Sequence, residues 1–233
     1  MSLAVRSSYL NWVLGTTLGL ILWFRNRGPD RMLGTFVFVV SLIFLAEYGL
    51  ANHMDTASAT QLILAASVLS VFMLSVVGSF QLPEDPVMKF FVIITLLLLI
   101  WGLWSIATGH EMSGHGVATG HGHGHGMTGH EMDDGTSGVT FCSWTNGNSH
   151  ILWLSLIAAA VILIYAAFKF DSYSLWISLL ILGGISLLLL AANGYYIGEC
   201  FGYYFMLFLL VAFFAYWIIP YFDPEFVTVP HRR

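Results

Sequence analysis

Seven long apolar runs separated by short polar segments dominate the chain: Tyr9 to Phe24, Met32 to Leu50, Ala59 to Phe80, Val87 to Thr108, Ile151 to Phe170, Ser174 to Ile197 and Phe201 to Tyr221. All but the first are about 19 residues or longer, close to the roughly 20 residues a helix needs to cross a hydrocarbon core. Backbone that enters lipid has to satisfy its own hydrogen bonds, so the runs predict helices despite their β-branched and aromatic content. Gly28-Pro29 within Arg25 to Arg31, and two prolines and two acids within Gln81 to Pro86, predict turns. Met1 to Arg6 is short and weakly charged, and the first run lacks a small-residue cleavage site, so that helix is expected to be retained.

Composition sharpens the class. The chain is 58% hydrophobic and 9% charged, against roughly 45–50% and a quarter in soluble domains. The expectation is an all-α polytopic bundle, one membrane domain over residues 1–233. A net charge of -5, with the eight Lys and Arg forming no basic patch, argues against a nucleic-acid partner. With seven spans, Arg25, Arg27, Arg31, Lys89, Lys169, Arg232 and Arg233 share one face, and Arg6 alone lies on the other. The positive-inside rule then puts the C-terminus in the cytoplasm and the N-terminus outside.

That orientation assigns Ala51 to Ala57, Gly109 to His150 and the Gly198-Glu199-Cys200 turn to the outer face. Both cysteines, Cys142 and Cys200, fall there, and an oxidising compartment favours their pairing; the alternative is two free thiols. Trp101, Trp104, Trp144, Trp153, Tyr195, Tyr196, Tyr203 and Tyr204 gather near the same boundary, as ordinary interfacial anchors.

The outer loop carries the candidate chemistry. It holds His110, His115, His121, His123, His125 and His130 with Met112, Met127 and Met132, and the tetrad Gly-His-Glu-Met occurs twice, at 109–112 and 129–132. Neutral imidazole suits zinc, copper and nickel, whereas the Met thioether selects Cu(I), so the mixture points toward copper, with zinc the other candidate ion. Glycine alternating with histidine lets successive rings reach one ion, but no fixed tetrahedral spacing is visible and no cysteine joins the tract. Two other readings stay open: a passive low-complexity linker, and a cluster that charges near pH 6.

Ionisable residues within the runs are few. Glu47 is the one acid well inside a run, about a turn from its outer end, with His53 and Asp55 following in the loop. It suits either a structural hydrogen bond to a neighbouring helix or a proton or metal relay with His53. Asn193 and Gly183-Gly184 look like helix contacts, and Pro220 like a helix end or kink. The last run has no lysine for a retinal Schiff base, the later runs hold no buried His/Asp or Ser/His set, and no Walker A or dinucleotide glycine pattern occurs.

The stretch Asn26-Arg27-Gly28-Pro29-Asp30-Arg31, with Gly34-Thr35-Phe36-Val37-Phe38, Ser41-Leu42-Ile43 and Glu47-Tyr48, resembles uncharacterised seven-span membrane proteins of giant DNA viruses and some protists. The resemblance covers about 25 residues plus the helix count, with Cys142 and His150-Ile151-Leu152-Trp153 in addition. It implies a seven-helix bundle and no activity. The His/Met tract is similar in composition to copper-handling segments of bacterial resistance and transport proteins, although the Cys-Pro-Cys-like motif and nucleotide domain of copper pumps are missing.

The expectation is therefore a non-enzymatic protein of a plasma, endomembrane or viral membrane. Its partners would be the lipid bilayer, copper or zinc ions, and copies of itself or other membrane proteins. The alternatives are a small transporter or channel with Glu47 and His53 near its entrance, and a scaffold or receptor using the Phe- and Tyr-rich face of the last helix.

Overall fold

The computed structural model describes the backbone of residues 3–51, 56–108, 149–193 and 195–222, and the side chains of 8–49, 58, 61–108, 151–185 and 207–221. The described residues form seven helices and the turns between them: α1 Leu3–Arg25, α2 Asp30–Ala51, α3 Thr56–Gln81, α4 Pro86–Ala107, α5 Ser149–Lys169, α6 Tyr173–Asn193 and α7 Tyr195–Phe222. Four contain stretches long and apolar enough to cross a membrane: Asp30–Gly49, Gln61–Gln81, Pro86–Ala107 and Ile151–Lys169. Shorter apolar stretches, Tyr173–Ile185 and Leu207–Tyr221, occur in α6 and α7.

The helix ends follow from local chemistry. After α1, Asn26 takes a left-handed conformation (φ 49°) and Gly28 does the same (φ 50°); after α5, Asp171 does so (φ 47°). Asn and Asp tolerate this region better than other side-chain-bearing residues. The Ser172 amide then bonds the Ala167 carbonyl (3.2 Å) and the Phe170 amide that of Ala166 (2.9 Å), which occupies carbonyls left over at the helix end. Asp85 caps α4, accepting from the Val87 and Met88 amides, with Pro86 in the first turn where its missing N–H costs nothing.

One boundary differs from expectation. Gly198, Glu199 and Cys200 are helical, because α7 already begins at Tyr195. The Asn193-Gly194 dipeptide is the stronger helix-breaking signal, and no proline interrupts the chain after it until Pro220. Pro220 itself lies inside α7, within its last turn.

α2 is the hub of the bundle. Met32, Leu33, Phe36, Val37, Val40, Ile43, Phe44 and Ala46 are all buried in one core with α1, α3, α5 and α7, and Phe36 meets Phe213 of α7 edge to face with ring centroids 6.1 Å apart. α1 lies directly on α2 through glycine. A Cβ on Gly34 would stand 2.6 Å from the Gly19 carbonyl oxygen and 2.9 Å from the Trp23 nitrogen; one on Gly19 would stand 2.8 Å from the Gly34 oxygen. Gly15, one turn earlier, faces Ser41 and Leu210. Gly15 and Gly19 thus form a small-xxx-small stripe, Gly19 against the backbone of α2 and Gly15 against the Ser41 and Leu210 side chains, the packing available to helices when lipid is as apolar as their side chains.

Gly183 and Gly184, expected to be helix contacts, lie on an exposed face of α6, and a Cβ added to either would meet nothing within 4 Å among the described residues. α4 is the outermost of the four apolar helices: only Met88, Thr95 and Gly102 are buried, each seven residues apart, so one narrow seam meets the bundle. On that seam the Thr95 and Ser75 hydroxyls are 2.6 Å apart. Thr16 and Ser41 (3.1 Å) link α1 to α2 in the same way. Such interhelical bonds average about 0.6 kcal/mol in membranes, less than the cost of forcing a side chain into the glycine contact.

Gly34→Val is therefore expected to lower stability by about 1–3 kcal/mol through overpacking, whereas Gly183→Ala should be neutral or stabilising by up to about 1 kcal/mol through helix propensity. Thermal unfolding of both purified variants checks the contrast, and equal losses would contradict the packing described.

Candidate functional site

The His/Met tract is anchored by its two stems. α4 closes at Ala107, and Thr108 bonds back to the Trp104 carbonyl through its amide and its hydroxyl (both 2.9 Å). α5 opens at Ser149, and Ile151 is buried with Leu64 and Val68 of α3, against which Ile106 of α4 also packs. The stems are thus neighbours on one side of α3. His110, Met112, His115, His121, His123, His125, Met127, His130 and Met132 lie outside the described residues, as do His53 and Cys142; Cys200 lies in α7, but its side chain is outside them. Among the described residues no group of three or more His, Cys, Asp or Glu is placed to hold a metal ion; none of the nine histidine side chains is described.

Glu47 is buried near the end of α2 away from Asp30, and its Oε2 accepts a hydrogen bond from the Ser8 hydroxyl of α1 (3.1 Å). Tyr48 beside it lies against Tyr9, ring centroids 5.3 Å apart. The carboxyl is thus engaged by a neighbouring helix.

Among the described residues the densest polar chemistry lies at the opposite end, in two carboxylate nodes. Asp30, wholly buried at the start of α2, takes a two-pronged contact from Arg25 (Nε to Oδ2 2.6 Å, Nη2 to Oδ1 2.7 Å). Its Oδ2 also accepts from the Arg27 amide (2.9 Å), and its Oδ1 from the Tyr216 hydroxyl of α7 (2.5 Å). Arg25 further donates to the Trp217 carbonyl (3.4 Å) and lies over the Tyr216 ring. A planar guanidinium matches both carboxylate oxygens at once, which a lysine would not. Three helices are thereby joined by one acid.

Asp85 is the second node. Besides capping α4 it accepts from the Tyr165 hydroxyl across both oxygens (2.8 and 2.6 Å) and pairs with Lys169 Nζ (2.9 Å), both on α5. Burial pushes this carboxyl up, but the bonds from Tyr165, Lys169 and the Val87 and Met88 amides outweigh it and hold the carboxyl at about 2, below its ordinary 3.8. Gln81 Nε2 donates to the Gly28 carbonyl (2.9 Å), tying the α3/α4 turn to the α1/α2 turn. All these groups are engaged structurally, and none is set against a free nucleophile or a second carboxyl among the described residues.

Sequence reasoning treated both acids as turn residues and missed the nodes. Asp85-Pro86 does carry a cap signature, and Tyr165 and Lys169 sit one turn apart at a helix end. Nothing local to Asp30 pointed to Tyr216, which is 186 positions away.

No family model matches the chain, and neither a curated protein nor a solved structure matches it.

Removing Asp30 strands Arg25 in a largely buried site, so Asp30→Ala is expected to cost about 3–5 kcal/mol, and Tyr216→Phe about 1.5–3 kcal/mol for one bond to a charged group; denaturant unfolding measures both. Because the Asp85 carboxyl titrates lower when folded, its contribution is complete above pH 3.8 and is lost as pH falls toward about 2. Acid unfolding of Asp85→Asn should lack that loss, and an acid limb identical to the parent's would refute the assignment.

Proposed function

We propose that the chain is a seven-span membrane protein of non-enzymatic role, N-terminus outside and C-terminus cytoplasmic, that binds copper or zinc through His110, Met112, His115, His121, His123, His125, Met127, His130 and Met132. The observation that carries this reading is the concentration of six histidines and three methionines, without cysteine, in the glycine-rich tract 110–132 between α4 and α5. The polar groups described within the bundle support it from the other side, because Asp30 and Asp85 serve packing.

The topology draws support from the Gln81–Gly28 and Asp85–Lys169 contacts, which gather the ends of α1, α3 and α5 and their basic residues at one end of the bundle. An odd number of crossings puts those residues on one side and the His/Met stems on the other. Cys142 and Cys200 then share the outer side, where we infer a disulfide between them. A second reading, a small transporter, rests on Glu47, a buried acid in an apolar helix near the same end as the stems.

Titration of the purified full chain with Cu(I), Cu(II) and Zn(II) against a competing chelator tests the main reading. Submicromolar, stoichiometric binding that vanishes on deleting residues 110–132 is expected, and replacing Met112, Met127 and Met132 by Leu should weaken Cu(I) while sparing Zn(II). Weak, unselective binding, equal with and without the loop, would overturn metal handling. Metal-stimulated flux into liposomes that is lost in Glu47→Gln would favour the transporter.

A further inference from the structure

Three arginines, Arg25, Arg27 and Arg31, lie within five residues of Asp30 in the chain at the α1/α2 corner. Asp30 is fully engaged: the Arg25 fork takes both oxygens, the Arg27 amide adds a bond to Oδ2, and Tyr216 adds one to Oδ1. One acid neutralises one guanidinium, which leaves Arg27 and Arg31 as two positive charges among the described residues of the corner. The side chains of Arg27 and Arg31 are exposed, and neither pairs with an acid among the described residues. Arg31 is held at the surface, its guanidinium over the Trp23 ring at 5.7 Å.

Beside these charges stand large exposed rings. Phe24 is 80% exposed and Trp23 41%, both in the last turn of α1. Tyr221, near the end of α7, is 70% exposed and packs on Trp217, whose carbonyl accepts from Arg25. Water does not suit an exposed phenylalanine, and hydrocarbon does not suit an unneutralised guanidinium. The boundary of an anionic bilayer suits both: aromatic rings settle at headgroup depth, and planar guanidinium groups match phosphate oxygens.

We propose that this corner binds the phosphodiester of an anionic phospholipid in the adjacent leaflet, with Arg27 and Arg31 holding the phosphate and Trp23 and Phe24 lodged beside the upper acyl chains. The proposal rests on the reading of α1 and α2 as membrane spans. Among the described residues, the two lysines at this end behave differently: Lys169 is taken by Asp85, and Lys89 stands on α4 without an arginine neighbour in sequence or an indole contact.

The test uses the full chain in two stages. Carbonate-resistant retention in phosphatidylcholine vesicles first establishes insertion for the parent and for Arg27→Gln/Arg31→Gln. If neither is retained, the span reading fails and takes this proposal with it. Native mass spectrometry of the detergent-solubilised proteins with phosphatidylglycerol or phosphatidylcholine then reads binding. The parent should retain phosphatidylglycerol preferentially, the double variant should lose about 30-fold in that affinity, as two basic residues at an anionic surface are worth, and Lys89→Gln should match the parent. Equal retention of both lipids by the inserted parent, or unchanged phosphatidylglycerol binding by a double variant that melts like the parent, would overturn the proposal. Displacement of the lipid by millimolar inorganic phosphate would also overturn it, by showing a site for the free ion.

Discussion

A carboxylate buried at the end of an apolar helix needs partners, and Asp30 of α2 takes them from two other helices and from the turn that precedes it. Arg25 arrives from the last residue of α1, the Arg27 amide from the intervening turn, and Tyr216 from α7. The turn itself is shaped for this, since left-handed Asn26 and Gly28 bring Arg25 and Asp30 face to face within five residues. Once the pair is closed, α1 lies along α2 closely enough that Gly19 and Gly34 touch through their backbones. The docking of α7 on the same pair then brings Phe213 to Phe36 and Leu210 to Gly15. A charge that would oppose burial alone is compensated at the point where α1, α2 and α7 meet.

The second node performs the corresponding task for the outer helices. α4 meets the bundle along one seam only, so its angle depends on few contacts. Asp85 supplies several of these at once, because one carboxylate both caps α4 and receives Tyr165 and Lys169 from α5. α4 and α5 are the two helices from which the His/Met tract departs. Their far ends are joined mainly by Ile106, Ile151, Leu64 and Val68, all apolar. Among the described residues, α4 and α5 are thus tied by charge at one end and by packing at the end from which the His/Met tract departs.

The histidine-rich tract and the buried acids answer to different demands. Histidine and methionine bind metals through lone pairs that need no folded cage, so composition alone can signal them. A buried acid reveals nothing by composition, since its role depends on what faces it. Asp30 and Asp85 read as turn residues on paper and are the most densely bonded side chains described in the fold.

The helical class, the positions of the two short turns at 26–29 and 82–85 and the extent of most apolar segments were determined by the sequence alone. An apolar run has one way to satisfy its backbone in lipid, and Gly-Pro or Asp-Pro has few ways to continue a helix. The α6/α7 break was misjudged by a few residues: the turn was read at Gly198 to Cys200, whereas α6 ends at Asn193 and α7 begins at Tyr195, at the stronger Asn193-Gly194 signal. Which glycines mattered was undecided: Gly183-Gly184 is the more conspicuous pair on paper, yet Gly19 and Gly34 are the ones in contact. Only the tertiary structure decided that point and the two carboxylate nodes. Contacts between residues 80 and 186 positions apart depend on how helices are arranged in space, and a linear pattern of polarity holds no record of that arrangement.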